Sequence, residues 1–446
     1  MALFGTDGVR GVFGEDLTTE LAFDLAVAAG HVLAERGEFA GHRPFAIVGQ
    51  DSRASGELLE AAVADGLAST GIDVYRVGVL PTPAVAYLVA SRGADLGVMI
   101  SASHNPASDN GIKFFARGGG KLDDALEERI EARLGEPWEQ GEGFATGAIF
   151  VDVGAREEYE KFLLESLGGV SVAGLKVVVD CANGASSFVA PDVYRRARAE
   201  VVAIHAEPNG VNINDGCGST HMDSLIAKVR EVGADLGIAH DGDADRALLC
   251  DASGNVIDGD QILAILALDL GARLKGGRVV GTVMSNLGFV NAMVERGIEV
   301  VKTSVGDRYV LERMVAEGLN LGGEQSGHVI MRDFANTGDG VLTALQVLGV
   351  MARSGKSAAE LASVVTRYPQ VLVNVRGVDK ARLDGHEGLR AKVAEYEARL
   401  GERGRVLLRA SGTEPLVRVM VEASEEAVAS EIATALAEFV AEALGV

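Results

Sequence analysis

The sequence predicts an α/β fold, with three related mixed-sheet α/β domains followed by a C-terminal α+β domain. Through most of the 446 residues, short apolar runs of strand length alternate with helix-length stretches, a pattern typical of α/β winding. Polar loops follow several of these runs, as expected where strands reach the edge of a sheet. Beyond Tyr368-Pro369 the order changes to strand-like runs around a charged helix, which indicates a smaller antiparallel sheet.

Each predicted domain has its own elements. The first domain, residues 1–150, is expected to contain a helix from about Thr19 to Arg36 and strands at Pro44–Gly49 and Leu96–Ile100. The second, residues 151–253, is expected to contain a helix at Glu157–Ser166 and strands at Lys176–Asp180, Val201–His205 and Asp235–His240. The third, residues 254–367, is expected to contain a helix from about Gln261 and strands at Arg278–Met284 and Ile298–Lys302. The fourth, residues 368–446, is expected to combine a C-terminal helix with strands at Val371–Val375, Arg405–Arg409 and Leu416–Val421.

The charge balance argues against nucleic acid as a partner. Lys plus Arg total 41 against 64 Asp plus Glu, a net charge of -23, whereas binding to a phosphate backbone needs a basic surface. No apolar run approaches the roughly 20 residues that span a bilayer, so no membrane association is expected. The three cysteines lie far apart and form no CxxC pair, which favours a cytoplasmic location. The sequence is compatible with a monomer or a homodimer.

Three aspartates at alternate positions mark the middle of the chain. Asp241, Asp243 and Asp245 follow a strand-like run, and such close carboxylates repel one another unless a cation neutralises them or one stays protonated. An EF-hand would need Gly and Glu where Arg246 and Ala252 stand. Mg²⁺ is the expected ion, and the alternative is a solvated acidic turn. Because Mg²⁺ takes its other oxygens from water or phosphate, a phosphate is expected elsewhere in the site.

A hydroxyl at the end of a predicted strand is the candidate carrier of that phosphate. Ser103 lies beside His104 in the loop 101–106, and a phosphorylated Ser103 would supply the oxygen that the aspartate loop lacks. Phosphoryl transfer needs mainly positioning and charge neutralisation. The cations expected to neutralise the charge are Lys113, Arg10 and Arg246. The alternative is a turn built by Ser, Asn and Pro.

Two further loops suit a phosphorylated sugar. Glu324 and Ser326 are flanked by glycines and are expected to hydrogen-bond vicinal sugar hydroxyls, while His328 has a side chain suited to proton transfer. A basic, hydroxyl-rich loop in the C-terminal domain suits a dianionic phosphate. Its candidate ligands are Arg409, Ser411, Gly412, Thr413 and Arg418. The alternatives are a solvated loop, a structural histidine and an ordinary hairpin turn.

Four loops together carry a resemblance to a known family. They read Ser-Ala-Ser-His-Asn-Pro from Ser101, Asp-Gly-Asp-Ala-Asp-Arg from Asp241, Gly-Glu-Gln-Ser-Gly-His from Gly323 and Arg-Ala-Ser-Gly-Thr-Glu-Pro from Arg409. Their order and spacing resemble those of the α-D-phosphohexomutases along the whole chain. Within that superfamily, the opening Phe-Gly-Thr-Asp-Gly-Val-Arg-Gly from Phe4 and the Gln325 of the third loop look like those of the bacterial phosphoglucosamine mutases.

The resemblance implies an arrangement and a set of roles. The four domains would form a heart-shaped molecule around a central cleft. Ser103 would carry the transferable phosphate and, with Asp241, Asp243 and Asp245, would bind one Mg²⁺ per chain. Glu324 and Ser326 would hold the sugar, and the loop from Arg409 to Thr413 with Arg418 would hold the non-reacting phosphate. The remaining catalytic candidates, as proton-transfer or electrostatic groups, are His104, Lys113, Arg10, Arg246 and His328.

The reaction implied by the resemblance interconverts glucosamine 6-phosphate and glucosamine 1-phosphate. The phosphoserine would give its phosphate to O1, a 1,6-bisphosphate would turn over in the cleft, and the 6-phosphate would return to Ser103. A hexosamine or glucose 1,6-bisphosphate is the expected activator, and the product would supply UDP-N-acetylglucosamine and cell-wall synthesis. The alternatives are a phosphoglucomutase or phosphomannomutase, a haloacid-dehalogenase-type phosphatase, which the third aspartate disfavours, and a non-catalytic sugar-phosphate sensor.

Overall fold

The computed structural model describes residues 3–5, 7–39, 41–136, 146–383, 385–411 and 415–445. The chain divides into two units, each held together by its own internal contacts. Unit 1 comprises Met1–Met284 and Val300–Ser363, and unit 2 comprises Ser285–Glu299 and Val364–Val446. In the described ranges, no helix combines the length and the apolar character needed to cross a lipid bilayer.

A seven-stranded mixed sheet forms the N-terminal part of unit 1. Its strands are β1 (Phe4–Gly5), β2 (Gly8–Val12), β3 (Phe45–Gln50), β4 (Asp73–Val79), β5 (Leu96–Ile100), β6 (Asp109–Ala116) and β7 (Ile149–Val151). Its helices are α1 (Thr19–Glu35), α2 (Gly56–Ser69), α3 (Thr82–Arg92) and α4 (Asp124–Ala132). The strand order is β1-β2-β6-β5-β3-β4-β7. All five residues of β5 are buried, as expected for a strand covered on both faces, and the following loop returns the chain antiparallel along β6.

A five-stranded sheet follows in unit 1. Its strands are β8 (Lys176–Asp180), β9 (Glu200–Ile204), β10 (Leu236–His240), β11 (Ala247–Asp251) and β12 (Val256–Ile257), and its helices are α5 (Ala155–Glu165), α6 (Ala190–Arg196) and α7 (Asp223–Val232). The order is β12-β11-β10-β8-β9. Strands β8, β9 and β10 are parallel, whereas β10 and β11 form an antiparallel hairpin. The turn of this hairpin carries the three aspartates.

A four-stranded sheet completes the α/β part. Its strands are β13 (Arg278–Thr282), β14 (Glu299–Thr303), β15 (Leu321–Gly323) and β16 (Val329–Met331). Its helices are α8 (Gly259–Leu270), α9 (Leu287–Val294), α10 (Asp307–Ala316), α11 (Gly340–Ser354) and α12 (Ala358–Ala362), of which α9 belongs to unit 2. The strand order is β14-β13-β15-β16. Strands β15 and β16 are antiparallel, and their turn carries Glu324 and Ser326.

The C-terminal part of unit 2 is a three-stranded antiparallel sheet with two helices. Its elements are β17 (Gln370–Arg376), α13 (Glu387–Leu400), β18 (Gly404–Ala410), β19 (Leu416–Ala423) and α14 (Glu426–Leu444). The strand order is β17-β19-β18. Alternate residues of the central strand, Val417, Val419 and Val421, are fully buried in one core with Ile432 and Leu436 of α14. The period of two places one face of the sheet against the helix.

These sheets confirm the predicted fold class of three mixed-sheet α/β parts and a C-terminal α+β part. Predicted and observed elements differ mainly at their ends. The strand expected at Arg278–Met284 ends at Thr282, and Met284 N donates to the Thr282 hydroxyl at 3.1 Å. The helix expected at Glu157–Ser166 begins earlier, at Ala155. The domain boundaries stay a prediction.

Candidate active site

The three aspartates lie on the tight turn between β10 and β11. The side chains of Asp241, Asp243 and Asp245 are buried, and one oxygen of each lies within 4.8 Å of the others. Ala244 adopts a left-handed backbone conformation (φ 57°) within the turn that reverses the chain between the strands. The structure therefore brings together the three carboxylates that the sequence singles out.

Two oxygens of this turn, Asp243 Oδ1 and Asp245 Oδ1, are buried and have no hydrogen-bond partner among the described residues. By contrast, Asp243 Oδ2 accepts hydrogen bonds from Thr82 Oγ1 at 2.6 Å and Lys113 Nζ at 2.7 Å. A buried carboxylate oxygen without a partner is costly, so such an atom usually marks a bound ligand or ion. This set of hard oxygens fits a divalent cation.

The pKa values of the three carboxyl groups reflect the same crowding. Burial, together with the Asp245 and Asp243 carboxylates, raises the pKa of Asp241 well above its ordinary value. Burial and Asp243 also raise the pKa of Asp245. Burial acts on Asp243 as well, but the Lys113 ammonium outweighs it and holds the pKa of Asp243 below its usual range. A divalent cation bound to the turn would relieve this repulsion.

Ser103 lies in the loop between β5 and β6 and reaches the aspartate turn of the second sheet. Its hydroxyl donates a hydrogen bond of 2.7 Å to Asp241 Oδ2, across 138 positions of sequence. Ser103 is buried and has a left-handed backbone conformation (φ 52°). The hydroxyl predicted to carry the phosphate therefore lies directly beside the carboxylates predicted to bind the metal.

Two of the predicted cations approach this point from the first sheet. Arg10, on β2, donates from Nη1 to Ala102 O at 3.4 Å, and its guanidinium also pairs with Asp7. Lys113, on β6, is fully buried and pairs with Asp243 and, at 2.9 Å, with Asp7. Burial lowers the pKa of Lys113, but Asp243 and Asp7 outweigh it and raise the pKa above its ordinary value. Lys113 is therefore a permanent positive charge at neutral pH.

Arg246 and His104 complete the surroundings of the hydroxyl. Arg246 Nε lies 4.0 Å from Asp241 Oδ2 and 3.8 Å from Asp245 Oδ1. His104 Nδ1 lies 3.3 Å from Ser103 Oγ. Burial, followed by the nearby Arg246 guanidinium, lowers the pKa of His104 to about 4. The imidazole is thus neutral at physiological pH.

The predicted sugar loop is the turn between β15 and β16. Glu324 Oε1 accepts a hydrogen bond of 2.9 Å from Gly306 N, which fixes the carboxylate against a neighbouring loop. Ser326 Oγ is buried and makes no hydrogen bond within the described ranges, so it is available to a ligand hydroxyl. His328 is buried, and its Nε2 lies 3.9 Å from Asp245 Oδ2. This histidine therefore lies next to the aspartate turn.

The predicted phosphate loop lies in unit 2. Arg409 and Arg418 face each other directly across β18 and β19. Burial, followed by the charge of Arg418, lowers the pKa of Arg409. Lys380 donates from Nζ to Ser411 O at 2.7 Å, which brings a third cation to the loop. Cations held this close are stabilised by an anion such as phosphate. Two further predicted ligands, Gly412 and Thr413, lie outside the described residues.

Comparisons with known proteins identify the family of this chain. The chain matches four domains of the phosphoglucomutase/phosphomannomutase family: α/β/α domain I over residues 1–140, domain II over 157–254, domain III over 258–368 and the C-terminal domain over 372–439. It is 60% identical to the phosphoglucosamine mutase of Streptomyces griseus, covering 99% of each chain. It is 58% identical to that of Thermobifida fusca, covering 100% of this chain and 99% of the relative.

This chain belongs to the phosphoglucosamine mutase family. Solved structures of more distant phosphohexomutases share its fold. A phosphoglucomutase/phosphomannomutase family protein from Burkholderia thailandensis superposes with a TM-score of 0.83 at 24% identity, over 99% of this chain and 97% of that one. The N-acetylphosphoglucosamine mutase of Aspergillus fumigatus, solved with GlcNAc-6P and magnesium, superposes with a TM-score of 0.71 at 20% identity, over 99% of this chain and 96% of that one.

The sequence reasoning missed a run of alternating charges beside the phosphohexomutase site. Asp7 pairs with Lys113, with Arg10 and with Lys121, and Lys121 pairs in turn with Asp307 at 2.5 Å. Asp307 Oδ2 lies 3.5 Å from Nε2 of the predicted His328. Asp7 belongs to the motif that begins at Phe4, so the sequence could have indicated its role. Lys121 and Asp307 are 186 positions apart, and no local pattern links them.

Proposed function

We propose that this chain interconverts glucosamine 6-phosphate and glucosamine 1-phosphate through a phosphorylated Ser103 and a 1,6-bisphosphate intermediate. One observation carries the proposal: the Ser103 hydroxyl contacts Asp241 within a buried cluster of three carboxylates. Membership of the phosphoglucosamine mutase family supports the choice of substrate. A phosphoglucomutase or phosphomannomutase activity is the second candidate, because the four domain matches carry those names.

In the first half of the reaction, O1 of glucosamine 6-phosphate attacks the phosphorus on Ser103. A bond from O1 to phosphorus forms, the bond from phosphorus to Ser103 Oγ breaks, and the O1 proton leaves to a base. The protonated Lys113 and the guanidiniums of Arg10 and Arg246 offset the negative charge on the transferring phosphoryl group. Pre-positioned charge of this kind contributes most where water is excluded, and Lys113 is fully buried.

We assign the metal site to the carboxylates of Asp241, Asp243 and Asp245 together with the Ser103 oxygen, with Mg²⁺ as the ion and one ion per chain. A bound Mg²⁺ would withdraw charge from the phosphoryl oxygens. Thr82 and Lys113 hold Asp243 Oδ2, which leaves Oδ1 of the same carboxylate for the ion. Hydrogen bonds of this kind orient a metal ligand and tune its affinity.

In the second half, Ser103 Oγ attacks the 6-phosphate of the bisphosphate. The bond from Oγ to phosphorus forms and the bond from phosphorus to O6 breaks, with the serine proton passing overall to O6. Glucosamine 1-phosphate then leaves the restored phosphoserine enzyme. The neutral His104 lies beside the serine oxygen, with its Nδ1 3.3 Å from Oγ. Glu324 and Ser326 hold sugar hydroxyls in both orientations of the ring. Arg409 and Arg418 bind the phosphate that is not reacting, with Ser411 and the adjoining Gly412 and Thr413.

A coupled assay for glucosamine 1-phosphate tests the proposal, with Mg²⁺ and a catalytic amount of hexose 1,6-bisphosphate as activator. Wild type is compared with Ser103→Ala and with a control, Ser108→Ala, which alters an exposed serine of the same loop. We expect turnover in wild type and in the control, and a loss of at least about 10³-fold in Ser103→Ala, which lacks the covalent carrier. Phosphopeptide mapping should find phosphate on Ser103.

Each other outcome selects a different function. Equal activity in wild type and Ser103→Ala would remove Ser103 as the carrier, and label on an aspartate would favour the phosphatase mechanism. Higher kcat/KM with glucose or mannose phosphates would favour the second candidate. Binding of hexose phosphates without turnover, after phosphorylation of Ser103, would favour a sensor.

The three cysteines are free and buried, which supports a cytoplasmic protein.

A further inference from the structure

The backbone of Ser103 is unusual for the residue that carries the reacting group. Its φ of 52° lies in the left-handed region, which is disfavoured for a residue with a Cβ atom. Backbone strain at a reacting residue persists where surrounding contacts hold it. Two buried side chains meet the main chain here: Arg53, which is 3% exposed, and Asn214, which is 8% exposed.

Both side chains donate to the same two carbonyl groups of the loop 101–106, which we call the serine loop. Arg53 Nη2 lies 3.2 Å from Ser103 O and 2.6 Å from Asn105 O. Asn214 Nδ2 lies 2.9 Å from each of these oxygens. The two donors come from different parts of the chain, since Arg53 follows β3 and Asn214 precedes α7. The carbonyl oxygens on either side of His104 therefore each accept two hydrogen bonds.

The Arg53 side chain is held in place by further hydrogen bonds. The guanidinium pairs with the buried Asp51. Asp51 Oδ2 accepts a hydrogen bond of 2.6 Å from Ser101 Oγ, and that hydroxyl accepts one of 2.9 Å from Ser103 N. Asp51 and Arg53 thus support the amide of Ser103 as well as its carbonyl group.

The Asn214 side is anchored to β8. Asn214 also has a left-handed backbone (φ 58°), and its N–H donates to Ala182 O at 2.9 Å. The Asp180 carboxylate then ties the loops on both sides, accepting from Ala182 N at 2.9 Å and Gly218 N at 3.0 Å. Asp180, His205 and Cys217 form a compact cluster. Within it, the Asp180 carboxylate already accepts the two hydrogen bonds from Ala182 N and Gly218 N.

We propose that Arg53 and Asn214 act as positioning residues, a clamp that holds Ser103 in its left-handed conformation and aims its oxygen at the three aspartates. The inference rests on the proposed function, because it assigns the clamp to phosphoryl transfer at Ser103. Asn214 also touches the aspartate turn: a Cβ atom on Gly242 would lie 2.9 Å from Asn214 Nδ2 and 2.5 Å from Ser103 O.

Replacement of Asn214 by glycine tests the clamp, because glycine tolerates the positive φ and removes only the donating side chain. Asn212→Ala is the matched control: Asn212 lies in the same loop and donates to Glu207 O rather than to the serine loop. We expect hydrogen exchange of the amides at 101–105 to rise about tenfold in Asn214→Gly and to stay unchanged in the control. This readout does not depend on turnover.

The kinetic expectation is a split between kcat and KM. A displaced phosphate carrier should lower kcat about 10- to 100-fold, while KM for the sugar phosphate stays within about twofold, because the sugar phosphate keeps its contacts. Arg53→Lys is the second variant: it keeps the charge beside Asp51 but not the guanidinium fork, and we expect the same split.

Unchanged exchange at 101–105 in Asn214→Gly and Arg53→Lys would overturn the clamp. So would raised exchange with wild-type kcat, or a loss of kcat that merely follows a lower unfolding temperature. An inactive wild-type enzyme would instead contradict the proposed function, and the exchange experiment would still decide whether the clamp exists.

Discussion

Lys113 Nζ lies 2.7 Å from Asp243 Oδ2, and both side chains are buried. The pair joins a strand of the first sheet to the aspartate turn of the second. It neutralises one carboxylate, whose other oxygen has no hydrogen-bond partner within the described ranges. Charge balance at the site is therefore shared between the protein's own lysine and the cation that the remaining oxygens would bind.

Lys113→Met should damage both catalysis and stability. Methionine keeps much of the volume but leaves Asp243 and Asp7 without a buried cation, which costs about 3–5 kcal/mol of unfolding free energy. Loss of a pre-positioned charge at the phosphoryl group should lower kcat about 10²–10³-fold. Chemical denaturation and the mutase assay measure the two effects. Lys161→Met, at an exposed lysine, should change neither, and a wild-type kcat in Lys113→Met would refute its assigned role.

Asp241→Asn should stabilise the metal-free protein while abolishing its response to Mg²⁺. Burial and the neighbouring Asp245 and Asp243 raise the pKa of Asp241, so a neutral amide removes repulsion and should add about 0.5–2 kcal/mol. Thermal unfolding with chelator and with excess Mg²⁺ measures both parts. Wild type, and Asp65→Asn on an exposed helix position, should gain stability from Mg²⁺. An equal Mg²⁺ shift in Asp241→Asn would show that this carboxylate is not a ligand.

Gly242→Ala should separate the aspartate turn from the serine loop. A Cβ atom at this position would lie 2.5 Å from Ser103 O and 2.8 Å from Ile213 Cδ1, so one loop must move. We expect kcat to fall about 10²-fold because the reacting groups are displaced. Gly154→Ala, where the nearest atom is 3.5 Å away, should keep wild-type kinetics. Similar kinetics in the two variants would mean that the loops adapt without cost.

Asp339→Asn should change how stability depends on pH. Asp339 is buried at the start of α11, accepts hydrogen bonds from Tyr159 OH and Leu342 N, and has its pKa raised to about 6 mainly by burial. The unfolded chain releases this proton near pH 4 and the folded chain only near pH 6. This group's contribution to stability is therefore complete below pH 4 and is lost as the pH rises to about 6.

Asparagine does not titrate, so the unfolding temperature of Asp339→Asn relative to wild type should rise between pH 4 and 6 and then level off. Thermal unfolding across pH 4–8 measures this difference. Asp269→Asn alters an α8 carboxylate with solvent-exposed surface and serves as the control. A difference for Asp339→Asn that is constant across the range would contradict the raised pKa.

Much of the fold was predictable because its signals are local. The buried strand β5 reads as a continuous apolar run, and the serine loop follows it directly. In the fourth sheet, the alternate residues Val417, Val419 and Val421 share one core with α14, as the period of two along a strand predicts. Strand ends were less predictable: β13 ends at Thr282, two residues before the predicted end at Met284.

The residue types of the candidate site were predictable from the sequence, but the contacts between its side chains were not. Alternate aspartates and a serine beside a histidine indicate metal and phosphate by residue type alone. The partners of these groups were not readable, because Thr82, Asn214 and Lys121 carry no motif of their own. Each matters because of its contact: Thr82 donates to Asp243, Asn214 to Ser103 O, and Lys121 to Asp307.

The sequence by itself determined the order of the sheets, the loops that bear the chemistry and, by resemblance, the family. Only the tertiary structure decided which carboxylate oxygens lack hydrogen-bond partners among the described residues, which cation faces which aspartate, and that Ser103 is held in a left-handed conformation. The physical reason is distance along the chain. The contact of Ser103 with Asp241 spans 138 positions and that of Lys113 with Asp243 spans 130, and such contacts arise only when separate sheets pack together.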